Sequence, residues 1–354
     1  MKITTRMLSL VAAMILIPAI ASTAVTTSAA KSKTSATEET SYQHQYSAEA
    51  QFNAGALTAT IVASSFDEGR AQATLSRALS RAHAFDVEVA SIEDRLNSLS
   101  KGETIELSPD MFAFISKAKD LAAITHGWFD PTAPSPKNWF IKRDWRRIKL
   151  NPESRTLSLN SNGIKFDLGR IATGFITDLM LDEIANEGFT NAMVETGTVH
   201  RNSGRDIFTP WNIIIGFGEN ATSTGTYRAY RYNIKDVAAA TVTPTGLGQG
   251  LTDAHNKKPV KANGIRSVTV FASDATTATA FALASYTLGP KHGLRYIEAH
   301  PETMCIMVDS SGTLIASKNM TIVDSKERAD IRQTEATGGP NDLRQKKHEE
   351  SMEQ

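Results

Sequence analysis

The sequence predicts an α+β fold in which mixed sheets pack against long helices, and three stretches carry that expectation. Residues 56–62 alternate apolar and polar side chains, the period of a half-buried strand. Residues 68–99 place Leu75, Leu79, Ala82, Val89, Ile92 and Leu96 at helical spacing over one or two long helices. Residues 163–184 read GIKFDLGRIATGFITDLMLDEI, with Ile164, Phe166 and Leu168 alternating like a strand. Gly169 and Gly174 then bracket an expected tight turn. Ile176, Leu179, Met180 and Ile184 follow at helical spacing, and Gly188 stands where that helix would stop. A strand, a glycine turn and a helix can aim backbone N–H groups and a positive dipole end at an anion. An ordinary packed connection has the same pattern, and the turn fits neither GxGxxG nor a P-loop.

The remaining elements follow in chain order. Residues 1–30 read as a processing segment: Lys2 and Arg6 open it, residues 8–20 are apolar, and small residues offer cleavage after Ala21, Ala24 or Ala30. The apolar run is short for a membrane span, and no cysteine stands at the cleavage point to take a lipid. The expectation is an exported protein, most simply periplasmic and not a lipoprotein, with a retained leader as the minority reading. Residues 31–47 are rich in Ser, Thr and charge and read as a polar linker. A folded domain is expected over 48–325, and a disordered charged tail over 326–354.

Within the domain, Ser108 caps a helix with Pro109 at its first position and Gly127 beyond its end. Strands are expected at 147–150, 156–159, 192–195, 211–216, 227–234 and 267–272. A helix over 276–287 and a hairpin, 305–309 with 314–316, close the domain. The 38 basic and 38 acidic residues cancel, so no global charge recruits nucleic acid or an anionic membrane. The single cysteine, Cys305, lies in an apolar run and reads as a buried strand thiol.

The wording around the glycines narrows the choice. KFDLGRIATGFITD from Lys165 resembles the signature of the FAD:protein FMN transferase (ApbE) family, roughly DLGGIAKGYAVD. SIEDRLN from Ser91, GWFDPT from Gly127, RIKLNPESRTLSLN from Arg147 and the long run from Pro259 to Pro290 resemble further family stretches in the right order. The likeness implies an ApbE-like, T-fold-like architecture. It also implies an enzyme that splits FAD and moves FMN to a Ser or Thr hydroxyl of an exported acceptor, with Mg2+ as cofactor.

By that resemblance, Ser91, Glu93, Asn97, Asp130, Gly169, Arg170, Thr173, Gly174 and Asp178 match or adjoin positions that shape the flavin site. Each has a plainer reading: Asn97 as a helix end, Asp130 as a turn former, Asp178 as a first-turn residue. The family holds its metal with an Asp and a Thr one helical turn apart and a backbone carbonyl. The matching positions are Thr279, Leu283 and Ala172. Leucine cannot bind a hard cation, so Asp274 is the nearby carboxylate that could substitute, or else a helix-terminal Asp.

Other departures accumulate. The family lysine is Thr173, and Arg170 replaces a glycine, either restoring a phosphate contact or lying in solvent. The family's Gly-Gly-Asp is Gly197, Thr198 and Val199, and its catalytic-stretch histidine is Gly250, with only Asp253 surviving nearby. His255 is not a positional replacement, and His200 reads as a surface or edge histidine. No catalytic residue is assigned. An active divergent transferase and a flavin-binding or scaffold protein that has lost the chemistry both remain open. A flavinylation acceptor is disfavoured, since residues 274–279 fall one residue short of the required motif.

Overall fold

Helix α1 (Glu68–Ser98) starts where the Asp67 carboxylate accepts a hydrogen bond from the Arg70 N–H at 3.0 Å. It runs unbroken, burying Leu75, Leu79, Phe85, Ile92 and Leu96 along one face. Helix α2 (Pro109–Ile124) has Ser108 as its N-cap, accepting from Met111 N–H at 3.2 Å, and proline in its first turn. It ends at Gly127, whose φ of 79° is cheap only without a Cβ. Helix α3 (Gly169–Asn186) and helix α4 (Ala275–Glu298) complete the helical layer, with α4 kinked at Gly289 ahead of Pro290. The computed structural model describes residues 26–28, 44–52, 57–132, 144–206, 211–217, 227–256, 258–261, 264–320 and 327–331.

Among those residues, the main sheet comprises β1 (Thr26–Ser28), β2 (His44–Phe52), β3 (Leu57–Ser65), β7 (Ala192–Thr196), β8 (Val199–Ser203), β11 (Ala238–Val242), β12 (Ile265–Ala272), β13 (Met304–Asp309) and β14 (Leu314–Ala316), in that spatial order. A small sheet joins β4 (Thr104–Glu106), β6 (Thr156–Leu159) and β5 (Ile148–Asn151). Another orders β15 (Glu327–Ile331), β10 (Tyr227–Ile234) and β9 (Trp211–Phe217). The class is α+β as expected, but the described strand pairs are antiparallel rather than mixed. Short reversals such as β2–β3, β7–β8 and β13–β14 impose that pairing.

Period two along each strand sorts side chains to two faces. Ile61, Val194, Val199, Ala240 and Val270 face the helices. Val62, Met193, Ala239, Phe271 and Ile306 face the other way, where Trp211 and Ile213 of β9 and Ile234 of β10 cover them.

Several expectations need correction. The polar linker ends sooner than 47, because β2 begins at His44 and pairs along its whole length with β3. Thr26–Ser28 forms β1 against β2, inside the segment read as a leader. That strand survives cleavage after Ala21 or Ala24 and is lost with cleavage after Ala30. Glu327–Ile331 pairs with β10 as β15, so the tail read as disordered contributes a strand; residues 332–354 lie outside the described residues.

The expected strand at 164–168 reduces to a single bridge residue, Ile164. Its period-two burial is real, with Ile164, Phe166 and Leu168 all inside. The Phe166 and Leu168 N–H groups, however, donate to side chains of α1, and that of Asp167 to the Pro131 carbonyl, instead of to a neighbouring strand. The glycine turn also closes earlier than expected: α3 starts at Gly169 itself, leaving Gly174 inside the helix.

At Gly174 the helices α3 and α4 touch. A Cβ there would lie 2.7 Å from the Ala275 carbonyl oxygen, 2.7 Å from Thr279 Oγ1 and 2.8 Å from Thr276 Cα. Backbone cannot yield as a side-chain tip can, so this position demands glycine for closeness, not for φ. Gly174→Ala is expected to lower unfolding free energy by about 1–3 kcal/mol, read by urea denaturation.

Candidate functional site

The site grows out of the 165–170 segment, which α1 holds from one side. Asn97 Oδ1 accepts from Phe166 N–H at 2.7 Å, and Glu93 Oε2 accepts from Leu168 N–H at 3.0 Å. The Asn97 carbonyl also takes the Lys165 ammonium. Burial pushes the Glu93 carboxyl above its ordinary range, against the pull of the Leu168 N–H. Ser91 is exposed on α1, short of these contacts.

Asp130 closes its own turn, its Oδ1 accepting from Thr132 N–H at 2.8 Å and Thr132 Oγ1 at 2.7 Å. Burial raises this carboxyl too. The turn presents the Pro131 carbonyl to Asp167 N–H at 2.8 Å. Glu93, Asn97 and Asp130 thus converge on the approach to Gly169 through backbone hydrogen bonds. At Gly169 a Cβ would meet nothing within 4 Å, so the start of α3 opens onto space.

Arg170 is neither solvated nor free. Its guanidinium pairs with Asp167, donates Nε–H to the Leu247 carbonyl at 3.0 Å and reaches the Gln249 carbonyl at 2.6 Å. It straps the 243–250 loop to the head of α3, so the expectation of an arginine in solvent is corrected. Thr173 is buried, with Oγ1 3.4 Å from the Gly169 carbonyl. Ala172 is fully buried within continuous helix, where each carbonyl accepts from the N–H four residues on.

Asp178 lies mid-helix in α3, not in a first turn, and its carboxylate sits at the N-terminus of α4. Oδ1 accepts from Ala275 N–H at 2.8 Å and forms an ion pair with Arg201 Nη1 at 3.1 Å. Oδ2 accepts from Thr276 N–H at 2.9 Å and Thr276 Oγ1 at 2.6 Å. Asp274 is the α4 N-cap. Its Oδ1 accepts from Thr277 N–H and from Lys117 Nζ of α2, both at 2.8 Å. Its Oδ2 accepts from Thr277 Oγ1 at 2.9 Å and Ser273 Oγ at 3.4 Å.

Burial pushes Asp178 up to about 6, with the Arg201 guanidinium opposing and Asp274 adding to the rise. Burial would raise Asp274 as well, but the Lys117 ammonium and the Thr277 donors hold it below the ordinary carboxylate range.

These donors do not suit a divalent metal. Thr279 Oγ1 is buried and donates to the Ala275 carbonyl at 2.8 Å, and Leu283 is buried and apolar. The Asp178 and Asp274 oxygens are already occupied by N–H and O–H donors and two cations. Among the described residues, no three His, Cys, Asp or Glu side chains gather as a metal site.

One of the two singled-out histidines sits differently from expectation. His200 is on β8, an interior strand between β7 and β11, so it is not an edge residue. Burial lowers its pKa despite Glu195 Oε2 at 3.5 Å. His255 stacks on Trp128 with ring centroids 4.1 Å apart, and Gly250 offers no side chain at the histidine position it matches.

Sequence reasoning missed Arg201 and Lys117. Arg201 shares the helix-facing side of β8 with Val199, a charge at a core position, and that signal is readable only once β8 is recognised. Lys117 gives no sequence signal beyond ordinary helical charge.

The ApbE family model matches residues 133–307. A FAD:protein FMN transferase of Chlamydia muridarum is 27% identical over 130 residues, covering 31% of this chain. That match spans 41% of the relative's own length. The flavin transferase ApbE from Vibrio cholerae superposes with a TM-score of 0.65 at 20% identity, over 79% of this chain and 99% of that one. The Pseudomonas stutzeri flavinyl transferase ApbE gives 0.67 at 17% identity, over 80% and 97%. At these identities the structural likeness carries the fold.

Two outcomes follow from the carboxylates. With its native pKa above the ordinary 3.8, Asp178 binds its proton more tightly folded than unfolded. Its stabilising contribution is complete below 3.8 and is lost as pH rises through about 6. The stability of the wild type relative to Asp178→Asn should therefore fall over that window in urea melts taken across pH. Asp274→Ala, which removes the α4 cap, should cost about 1–2 kcal/mol in the same assay at pH 7.

Proposed function

We propose, from the match of the ApbE family model to residues 133–307 and the fold shared with ApbE flavin transferases, that this chain belongs to that family and is an exported, most simply periplasmic, flavin-nucleotide protein whose FMN transfer is weakened or lost. In the full reaction an acceptor Ser or Thr oxygen bonds to the FMN phosphorus of FAD. The pyrophosphate bond breaks, AMP leaves with its electron pair, and the hydroxyl proton passes to a base. That chemistry needs a base and charge neutralisation at the pyrophosphate.

What supports retained binding is the head of α3. Glu93, Asn97 and Asp130 hold the backbone leading to Gly169, where a helix N-terminus faces open space suited to an anion. Thr173 and the Gly174 contact belong to α3 itself and would shape the site without touching the nucleotide.

The observation that carries weakened chemistry is the prior engagement of Asp178, Asp274, Thr279 and Arg170. Asp178 and Asp274 are saturated, Thr279 back-bonds to its own helix, and Arg170 is spent on the 243–250 loop. Gly250 supplies no base. Mg2+, when bound in such a site, would neutralise pyrophosphate charge; Ala172, Asp274 and Thr279 do not fit that role here.

Signal-free protein titrated with FAD, with and without Mg2+, tests the reading. Flavin fluorescence should report binding in both conditions, with little or no AMP released. Mg2+-dependent AMP release with FMN covalently transferred to an acceptor would contradict weakened transfer, and no fluorescence change would contradict flavin binding.

A further inference from the structure

We propose that the α3–α4 junction is a self-neutralised charge network in which Arg201 and Lys117 stand in the electrostatic place of a divalent ion, so that this chain binds no Mg2+ there. The inference rests on the functional reading only in taking this junction as the position where the family holds its metal.

Each carboxylate oxygen at the junction already meets a donor or a cation. A carboxylate offers about four lone-pair sites. Asp178 accepts three hydrogen bonds, from Ala275 N–H, Thr276 N–H and Thr276 Oγ1, and pairs by charge with Arg201 Nη1 at 3.1 Å. Asp274 meets four contacts: Thr277 N–H, Thr277 Oγ1, Ser273 Oγ and Lys117 Nζ. An incoming cation would have to displace a helix-capping N–H, a hydroxyl or a fixed positive charge.

The charges balance as the geometry does. Arg201 spans Asp178 and Asp182, with Nη1 2.7 Å from Asp182 Oδ1. Lys117 reaches Asp274 from α2, and the N-terminus of α4 adds a partial positive charge between the two carboxylates. Three carboxylates thus face two side-chain cations and a helix end. A divalent ion placed among them would lie beside a guanidinium and an ammonium at hydrogen-bond range from its own ligands, and that repulsion opposes binding.

Close packing leaves no room to compensate. Thr279, at the position of the family's metal-binding Asp, is pressed toward Gly174 and hydrogen-bonded to Ala275 O. Leu283, one turn on, is buried among apolar neighbours.

The test is a titration of the full signal-free chain with Mn2+, followed by the electron paramagnetic resonance signal of the free ion, with thermal melts in parallel. The wild type should leave the free Mn2+ signal as in buffer and melt at an unchanged temperature. A real site filled at a hundred times its dissociation constant would raise the melting point by about 5 °C or more. Lys117→Met removes the ammonium from beside Asp274 Oδ1, so it should deplete the free Mn2+ signal at concentrations where the wild type leaves it unchanged. Stoichiometric Mn2+ binding by the wild type that Asp274→Asn abolishes would overturn the proposal. So would a Lys117→Met variant, folded by its melt, that binds no better than the wild type. AMP release measured on the same samples separates the two claims: turnover without Mn2+ binding would contradict weakened transfer and leave the charge network standing.

Discussion

A carboxylate removed from water must be met by donors or by charge, and Asp178 is where this fold faces that requirement. It projects from the middle of α3 into the start of α4, at a crossing so close that Gly174 admits no side chain. The two helices bring their backbones together, and the Asp178 carboxylate ties the crossing by taking the first N–H groups of α4. Arg201 comes up from β8 beneath, and Asp274 completes the α4 cap with Lys117 of α2. Sheet, helix crossing and cap depend on one another through that single group. Its pKa, pushed up to about 6, records how little water remains.

The same constraint shapes what chemistry is available. The groups that hold the crossing together already meet backbone, hydroxyl and cationic partners. The polar residues near the signature divide accordingly. Glu93, Asn97 and Asp130 fix the path of the chain into α3, Arg170 straps a neighbouring loop to its head, and Asp178 and Asp274 weld α3 to α4. What remains open is backbone: the N-terminus of α3 at Gly169. A site made of oriented N–H groups suits recognition of a phosphate.

Much of the fold was legible in the sequence because it rests on local patterns. The stripe of Leu75, Leu79 and Leu96 marked α1, Ser108 with Pro109 marked the start of α2, and the alternation at Ile164, Phe166 and Leu168 marked a real buried edge. The misreadings share a physical cause, since each needed tertiary information. Residues 165–168 alternate like a strand, yet Phe166 and Leu168 give their N–H groups to α1 side chains. Gly174 looked like a turn former and proved to be a helix-contact residue, because a close approach and a positive φ ask for the same amino acid. Arg170 has partners 77 and 79 residues away, which no local window contains. Arg201 and Lys117, the counter-charges of the junction, lie on elements far apart in sequence from the carboxylates they neutralise.

The central claim is that Asp178 and Asp274 are satisfied from within. A crystal of the full signal-free chain soaked in manganese, with diffraction recorded for anomalous scattering, tests it most directly. The account predicts no anomalous peak between the two carboxylates, with Arg201 still on Asp178 and Lys117 still on Asp274. A peak bonded to either carboxylate, with Lys117 swung away, would contradict it.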